Sequence, residues 1–336
     1  MSNFKQIMIT LLLLFPVMGK AVVLDSTMVS LSGETQGTTY HIKYYDQANR
    51  NFQNTIDSIL SDFDKCLSLY RPDSELSQFN NSEKHEFVLP YFYPVLLKSQ
   101  EIFEATHGLY DPTILPLVEA YGFGPNKKHQ ISEIDLKETL KLIGFNHIRF
   151  DKKGIKKDQK GIRLDFNGIA QGYSVDLIAA LLEQKGISSY MVEIGGELSC
   201  KGFKTGKKPW IAGIENPLQP NKLIATIPLY NRSMTTSGNY RNHFEVNGQL
   251  FNHIINPKNG SMEQSNILSV TVLAPDAFTA DGYDTPFFMM GLKGIQDFVS
   301  KHPELDVFVV FTNQNGKLET YSSKGIADII TLKSVQ

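Results

Sequence analysis

The chain is short of several features that would assign it at a glance. It has two cysteines, Cys66 and Cys200, in 336 residues, too few for the disulfide frameworks that hold small exported domains together. No CxxC, no HExxH and no cysteine–histidine zinc spacing occurs, which removes the common zinc and dithiol motifs. The GxxxxGK[ST] and GxGxxG patterns are missing too, so neither a P-loop nor a Rossmann fingerprint is present. Nor is there an excess of one charge. Lysine plus arginine number 33 against 35 acids, for a net charge of -2, and general nucleic-acid binding has no electrostatic basis. Local lysine clusters at Lys152–Lys160 and Lys201–Lys208 are interrupted by Gly, Asp or Thr and read as solvated hairpins or loops.

Long apolar runs are also scarce. The run from Ile7 to Met18 is too short for a comfortable membrane span. Lys5 before it and Gly19-Lys20-Ala21 after it complete the pattern of a secretory signal peptide over residues 1–21, cut near Ala21. The expectation is an exported protein, working in the periplasm or at the periplasmic face of the inner membrane. Residues 22–336 would then form a single domain, with room for two subdomains.

What remains is an ordinary globular balance, 41% hydrophobic and 20% charged, on a chain long enough for a sizeable core. "TTYHIKYY" (Thr38–Tyr45) reads as an early strand. Phe52, Ile56, Ile59, Leu60, Phe63 and Leu67 recur at helical spacing, and Cys66 falls on the apolar side of that helix, which favours a plain buried thiol. A second helix is expected over Val95–Thr106, after Pro94 and stopped by Gly108. A third is capped by Ser132 and runs to Gly144. The alternation from His147 to Asp165 predicts a hairpin leading into "LDFNGIAQGYSVD", read as strand, glycine turn and helix with Gly186 as its stop. "YMVEIGGELSC", "WIAGIENP", Leu223–Pro228, Ile267–Ala274 and Asp306–Thr312 read as strands, with one more helix starting near Asp284. Strands and helices mix without strict alternation, so the fold class is α+β, with mixed sheets packed with helices.

Four segments have the residues for chemistry. In "ADGYDT" (Ala280–Thr285), Asp281, Asp284 and Thr285 stand at i, i+3 and i+4, one face of a helix. Two carboxylates and a hydroxyl are hard oxygen donors that suit Mg²⁺ or Ca²⁺ and not zinc. The competing reading is an acidic helix start complementing the macrodipole. Pro286, comfortable in a first turn, suggests that the helix begins at Asp284 with Asp281 in the turn before it. "DFNGIAQGY" (Asp165–Tyr173) offers a glycine turn and a helix N-terminus to a phosphate. In "FNHIINPKNG" (Phe251–Gly260), His253 precedes Ile254-Ile255 and an Asn-Pro-x-x-Gly turn, a place from which a histidine can reach a cleft; the competing reading is a satisfied core or surface histidine. "GLYDPT" (Gly108–Thr113) puts an aromatic and an acid at a helix exit.

In this order, "QGTTY", "YRPDSELSQFN", "GLYDPT", "LDFNGIAQGYSVD", "EIGGEL", "TTSGNYRNHF", "FNHIINPKNG" and "ADGYDTPFFMMG" resemble the ApbE family, the FAD:protein FMN transferases. The matching stretches run from Gln36 to about Gly291, and together they are far more specific than any one alone. The resemblance implies an ApbE-like, T-fold-like architecture and an exported, Mg²⁺-dependent enzyme. Such an enzyme cleaves FAD and attaches FMN to a Thr or Ser hydroxyl of a partner protein, typically a subunit of sodium-pumping NADH:quinone reductase or of an Rnf-type complex. Position by position, it implies Asp281, Asp284, Thr285 and the Gly168 carbonyl as metal ligands. Gln36, Tyr70, Leu109, Tyr110, Asp111, Asp165, Gln171, His253 and Ile255 would contact FAD, with His253 assisting deprotonation of the acceptor hydroxyl. The chain departs from the family pattern at Gln36 (usually Met), Asn167 (usually Gly), Gln171 (often Lys), and Asn252 and Asn256 (usually His and Asp). It also lacks a lipobox cysteine, so lipid anchoring is not expected. Two other readings use the same residues: a Mg²⁺-dependent FAD pyrophosphatase, and a non-enzymatic flavin-binding protein.

Overall fold

The computed structural model describes residues 27–125, 133–238, 243–246, 249–252, 254–262 and 265–333. The expected signal segment 1–21, the helix cap Ser132 and His253 lie outside them. In chain order the elements are β1 (Thr27–Thr35), β2 (Thr38–Asp46), α1 (Gln53–Leu67), α2 (Glu75–Asn80), β3 (Lys84–Glu86), α3 (Phe92–Ala105), α4 (Leu115–Ala120) and α5 (Glu133–Leu140). There follow β4 (Ile148–Phe150), β5 (Gly154–Lys157), α6 (Ala170–Gln184), β6 (Tyr190–Ile194), β7 (Glu197–Lys201), β8 (Trp210–Asn216), β9 (Gln219–Leu229) and β10 (Arg232–Gly238). The last part holds β11 (His243–Val246), β12 (Gln249–Asn252), β13 (Ile267–Ala274), α7 (Ala277–Val299), β14 (Asp306–Thr312), β15 (Leu318–Ser322) and β16 (Thr331–Leu332).

Eight strands form the main sheet in the order β1-β2-β6-β7-β10-β13-β14-β15, and every pair in it is antiparallel. Period-two alternation sorts its side chains between the two faces of the sheet. On β13 and β14, Val270, Val272, Val307 and Val309 join the core under the helices, whereas Leu273, Phe308 and Val310 point to the opposite face. There a second sheet, β16-β9-β8, covers them with Trp210, Ala212, Ile214, Ile227 and Leu229. Helices α6 and α7 lie side by side on the first face, so the α+β class expected from the sequence is what the chain adopts.

The local readings mostly hold. Ile56, Leu60, Phe63, Cys66 and Leu67 form the buried stripe of α1. Cys66 and Cys200 are both buried free thiols; burial pushes both thiol pKa values up, that of Cys200 to about 12. Pro94 sits inside the first turn of α3 instead of preceding the helix, where its missing N–H costs nothing.

The start of α7 requires a correction. The helix begins at Ala277, capped by Asp276, whose Oδ1 accepts from Thr279 N at 2.7 Å. Asp281, Asp284 and Thr285 therefore all lie within one helix, and Pro286 is a helix-interior proline. A proline there removes one i→i−4 bond. Phe287 and Phe288, both buried in the main core, supply the packing that holds the helix through it.

Candidate active site

Two helix starts meet at the site. Gly172, in the first turn of α6, lies against α7 so closely that a Cβ there would overlap the Ala277 carbonyl and crowd Asp281. This contact brings the Asp281 carboxylate over the open end of α6, where Oδ2 accepts from Gly172 N at 2.7 Å. The Gln171 N–H bonds to the same carboxylate. One part of the phosphate-cradle reading is therefore corrected: two of the free N–H groups of that helix start are taken by Asp281. The residue is an N-terminal cap as well as a candidate ligand, but it caps α6, not its own helix.

Asp284 lies one turn further along α7 and is 2% exposed. Its Oδ1 accepts from Ser237 Oγ at 2.9 Å and from Thr285 Oγ1 at 3.2 Å. Ser237 is at the end of β10, beside the helix face of the sheet, and its hydroxyl is also 3.2 Å from Thr285 Oγ1. Gly168 completes the group: a Cβ on it would lie 4.0 Å from Thr285 Oγ1. Burial raises the pKa of Asp281 to about 7, against the pull of the two N–H groups. Burial and the neighbouring Asp281 raise Asp284 well above the carboxylate range. Among the described residues, no positive charge is among the groups that shift either acid, and burial prevails.

No group of three or more His, Cys, Asp or Glu residues with metal-holding geometry occurs among the described residues. The available set is instead two carboxylates and a hydroxyl, with the Gly168 backbone beside them. That donor chemistry fits Mg²⁺, which is commonly held by one or two carboxylates with water and substrate phosphates filling the remaining positions.

A cleft of about 780 Å³ opens over this cluster. Tyr70, Leu109, Tyr110, Asp111, Asp165, Gly168, Gln171, Ile255, Asp281, Asp284 and Thr285 all line it. A second hollow of about 520 Å³ is lined by Gln36, Phe63, Asp64 and Leu67, and shares Tyr70, Asn167 and Gln171 with the first. Every residue implied by the resemblance thus lines one compartment or the other, apart from His253, which falls outside the described residues. Its neighbours Ile254 and Ile255 are buried and border the cleft.

The individual side chains have distinct duties. Tyr70 is 68% exposed at the junction of the compartments, an open aromatic face. The Tyr110 ring is a wall, with its hydroxyl 3.1 Å from Ser99 Oγ and its pKa raised by burial. Asp111 accepts from Thr113 N and Oγ1 at 2.8 and 2.6 Å and from Phe145 N at 3.2 Å. It organises the loop after α3, and burial lifts its pKa to about 6 against those bonds. Asp165 accepts from Asn167 N at 2.7 Å, and burial lifts it likewise to about 6. Gln171 Nε2 donates to the Ile194 carbonyl at 3.1 Å and covers Gly195 so tightly that a Cβ there would collide with it. Gly195 also has φ +62°, so two independent constraints require glycine.

Gln36 and Gly37, with φ of 52° and 73°, form the two-residue turn between β1 and β2, the hairpin loop with both residues left-handed. The Gln36 Nε2 is buried with no hydrogen-bond partner among the described residues, an unused donor at the wall of the second compartment. Asn167 has no left-handed backbone, so the loss of the usual glycine there carries no conformational cost. Sequence reasoning passed over Ser237 and Asp64 as individuals. The signal for Ser237 was present in the hydroxyl-rich "TTSG" strand, whose alternation puts Thr235 and Ser237 on one face.

A protein-family model described as the ApbE family matches residues 36–309. A FAD:protein FMN transferase from Haemophilus influenzae is 36% identical over 315 residues, covering 89% of this chain and 91% of the relative. One from Vibrio cholerae is 34% identical, with 88% and 91% covered. The solved structure of the flavin transferase ApbE from Vibrio cholerae superposes with a TM-score of 0.80 at 32% identity, covering 90% of this chain and 99% of that one. The apo form of a Pseudomonas stutzeri flavinyl transferase ApbE gives 0.81 at 29% identity, with 91% and 98% covered. With that fold and that cleft, the chain belongs to the ApbE family.

Proposed function

We propose that this enzyme is a Mg²⁺-dependent FAD:protein FMN transferase, which cleaves FAD and attaches FMN to a Thr or Ser hydroxyl of a partner protein with release of AMP. The observation that carries the reading is the convergence of Asp281, Asp284, Thr285 and Gly168 at the floor of a two-compartment cleft. Each compartment is within the size range of small-molecule sites, and a dinucleotide has two ring systems to place. In this reading Asp281, Asp284, the Thr285 hydroxyl and the Gly168 carbonyl hold Mg²⁺, with Ser237 orienting Asp284. Once bound, the ion would supply positive charge against the phosphate charge of the substrate.

The chain's own groups do the rest. Tyr70 and Tyr110 offer faces to ring systems, and Gln36 Nε2 offers a donor to a ligand carbonyl or ring nitrogen. Gln171 pins the Gly195 turn to the cleft wall. The acceptor oxygen forms its bond to the FMN phosphorus while the pyrophosphate P–O bond to AMP breaks. His253 takes the hydroxyl proton, as the resemblance implies. Acceptors of the NADH:quinone reductase or Rnf type, and export to the periplasm on the Met1–Ala21 pattern, belong to the same proposal.

The test incubates the protein with FAD, Mg²⁺ and an acceptor domain bearing a Thr/Ser site. An acceptor mass gain equal to FMN, with equimolar AMP, is expected. Release of AMP with free FMN and no acceptor gain would make the enzyme a pyrophosphatase, and bound FAD with neither product would make it a carrier.

A further inference from the structure

We propose that the outer face of the β16-β9-β8 sheet docks on an anionic lipid surface, through a strip of exposed apolar side chains bounded by lysines. The strip is continuous by register. Ile211 on β8 stands opposite Pro228 on β9, and Gly213 opposite Thr226. Tyr230 follows Pro228 on the same side of the strand, since Leu229 between them is buried. Phe203 stacks on Tyr230 with ring centroids 4.2 Å apart. At the other end, Leu223 folds over Gly213, where a Cβ would lie 2.8 Å from its Cδ2. Phe203, Ile211, Leu223 and Tyr230 are 42% to 49% exposed, and Leu218 is 59% exposed.

Charge is segregated onto the same segment. In a chain of net charge -2, residues 201–231 contain five lysines and the single acid Glu215. Lys201 pairs with Glu183 at 2.9 Å. Lys204 lies over the Trp210 ring at 5.8 Å. Lys207 and Lys208 are exposed beside the Phe203–Tyr230 end, and Lys222 is exposed beside Leu223. Both ends of the apolar strip are therefore bordered by ammonium groups.

This combination selects the partner. The strip lies on the face of a sheet, not in a groove that would grip a peptide, and its aromatic pair and aliphatic residues suit insertion at the headgroup–acyl boundary. Lysines at its border reach lipid phosphates while their stems cover apolar surface. The face is opposite helix α7, which bears Asp281 and Asp284, with the main sheet between them, so docking leaves the cleft open to an acceptor.

The test is co-sedimentation of the protein with vesicles of phosphatidylethanolamine and phosphatidylglycerol, against phosphatidylcholine vesicles. Binding to the anionic vesicles only, weakened by high salt, is expected. The triple variant Lys204→Glu, Lys207→Glu, Lys208→Glu should weaken partition about 100-fold, at roughly 5-fold per lysine, and Tyr230→Ser should weaken it at unchanged charge. Because Lys204 covers Trp210, the double variant Lys207→Glu, Lys208→Glu keeps the test valid if the triple variant folds poorly. FMN transfer to a soluble acceptor domain should be unchanged in the double variant. Equal binding to both vesicle types, no binding to either, or undiminished binding by the double variant would overturn the proposal. Capture of a soluble acidic protein by this face without vesicle partition would overturn it as well.

Discussion

Asp281 and Asp176 cap each other's helices. Asp281 on α7 accepts from Gly172 N at the start of α6, and Asp176 on α6 accepts from Ala277 N and Phe278 N at the start of α7, at 3.0 and 2.8 Å. Neither helix has to satisfy its first N–H groups alone, and each carboxylate sits at the positive end of the other's dipole. The exchange fixes how far the two helices slide past one another, and so where Asp284 stands over Ser237.

Removing Asp176 should loosen that arrangement. Asp176→Ala leaves two helix N–H groups without their acceptor and should cost about 2 kcal/mol of stability. The Mg²⁺ concentration for half-maximal transfer should rise as well, with Asp176→Asn recovering part of both losses. Thermal unfolding and a Mg²⁺ titration measure the two effects separately.

Stability of the protein free of metal and FAD should fall as pH rises from 5 to 8. Asp176 and Asp281 have folded-state pKa values pushed up to about 7, and Asp111 and Asp165 to about 6. A carboxyl whose pKa is raised on folding binds more protons folded than unfolded. Its favourable contribution is thus complete below the unfolded value and disappears as pH climbs through the folded one. Added Mg²⁺ should restore the melting temperature most strongly above pH 7, where it meets ionised carboxylates. A pH series of melting curves with and without Mg²⁺ checks the sign; a midpoint rising towards pH 8 without metal would contradict it.

Asp284→Ala should lower FMN transfer by roughly 10³-fold, the scale for losing a group that anchors charge stabilisation. FAD affinity measured by flavin fluorescence should change far less. Ser237→Ala, which strips one hydrogen bond from the buried carboxylate, should cost about 1.5–3 kcal/mol in stability or activity. Full transfer activity in the Asp284 variant would remove this residue from the proposed metal site.

Gly195→Ala places a Cβ into Gln171 and forces a left-handed backbone on an alanine, at about 1–2 kcal/mol for the backbone alone. The displaced Gln171 borders both compartments, so KM for FAD should rise about 10-fold or more with a smaller change in kcat. Steady-state kinetics over an FAD series distinguishes this from a general loss of folded enzyme.

Legibility from sequence followed burial. Helix α1 was readable because one face is apolar at regular spacing. Strand β1 was not, since Leu31 is its only buried residue and the inward positions after it are Gly33 and Thr35, which give the alternation no apolar signature. The start of α7 was misplaced because Pro286 is a local signal for a first turn, whereas core contacts of Phe287 and Phe288 hold the helix through it. Ser237 escaped notice as a partner of Asp284 because 47 residues separate them.

The sequence by itself determined the family, the order of its motifs and the oxygen-donor chemistry of Asp281, Asp284 and Thr285, because those depend on residue type and short spacing. Only the tertiary structure decided that Asp281 spends part of its carboxylate on the start of another helix. It also decided that the two acids are buried with raised pKa values, and that Gln36 and Asp64 frame a second compartment. Those properties arise from burial and from contacts between elements distant along the chain, where the low local dielectric and the crossing of α6 with α7 set the energies.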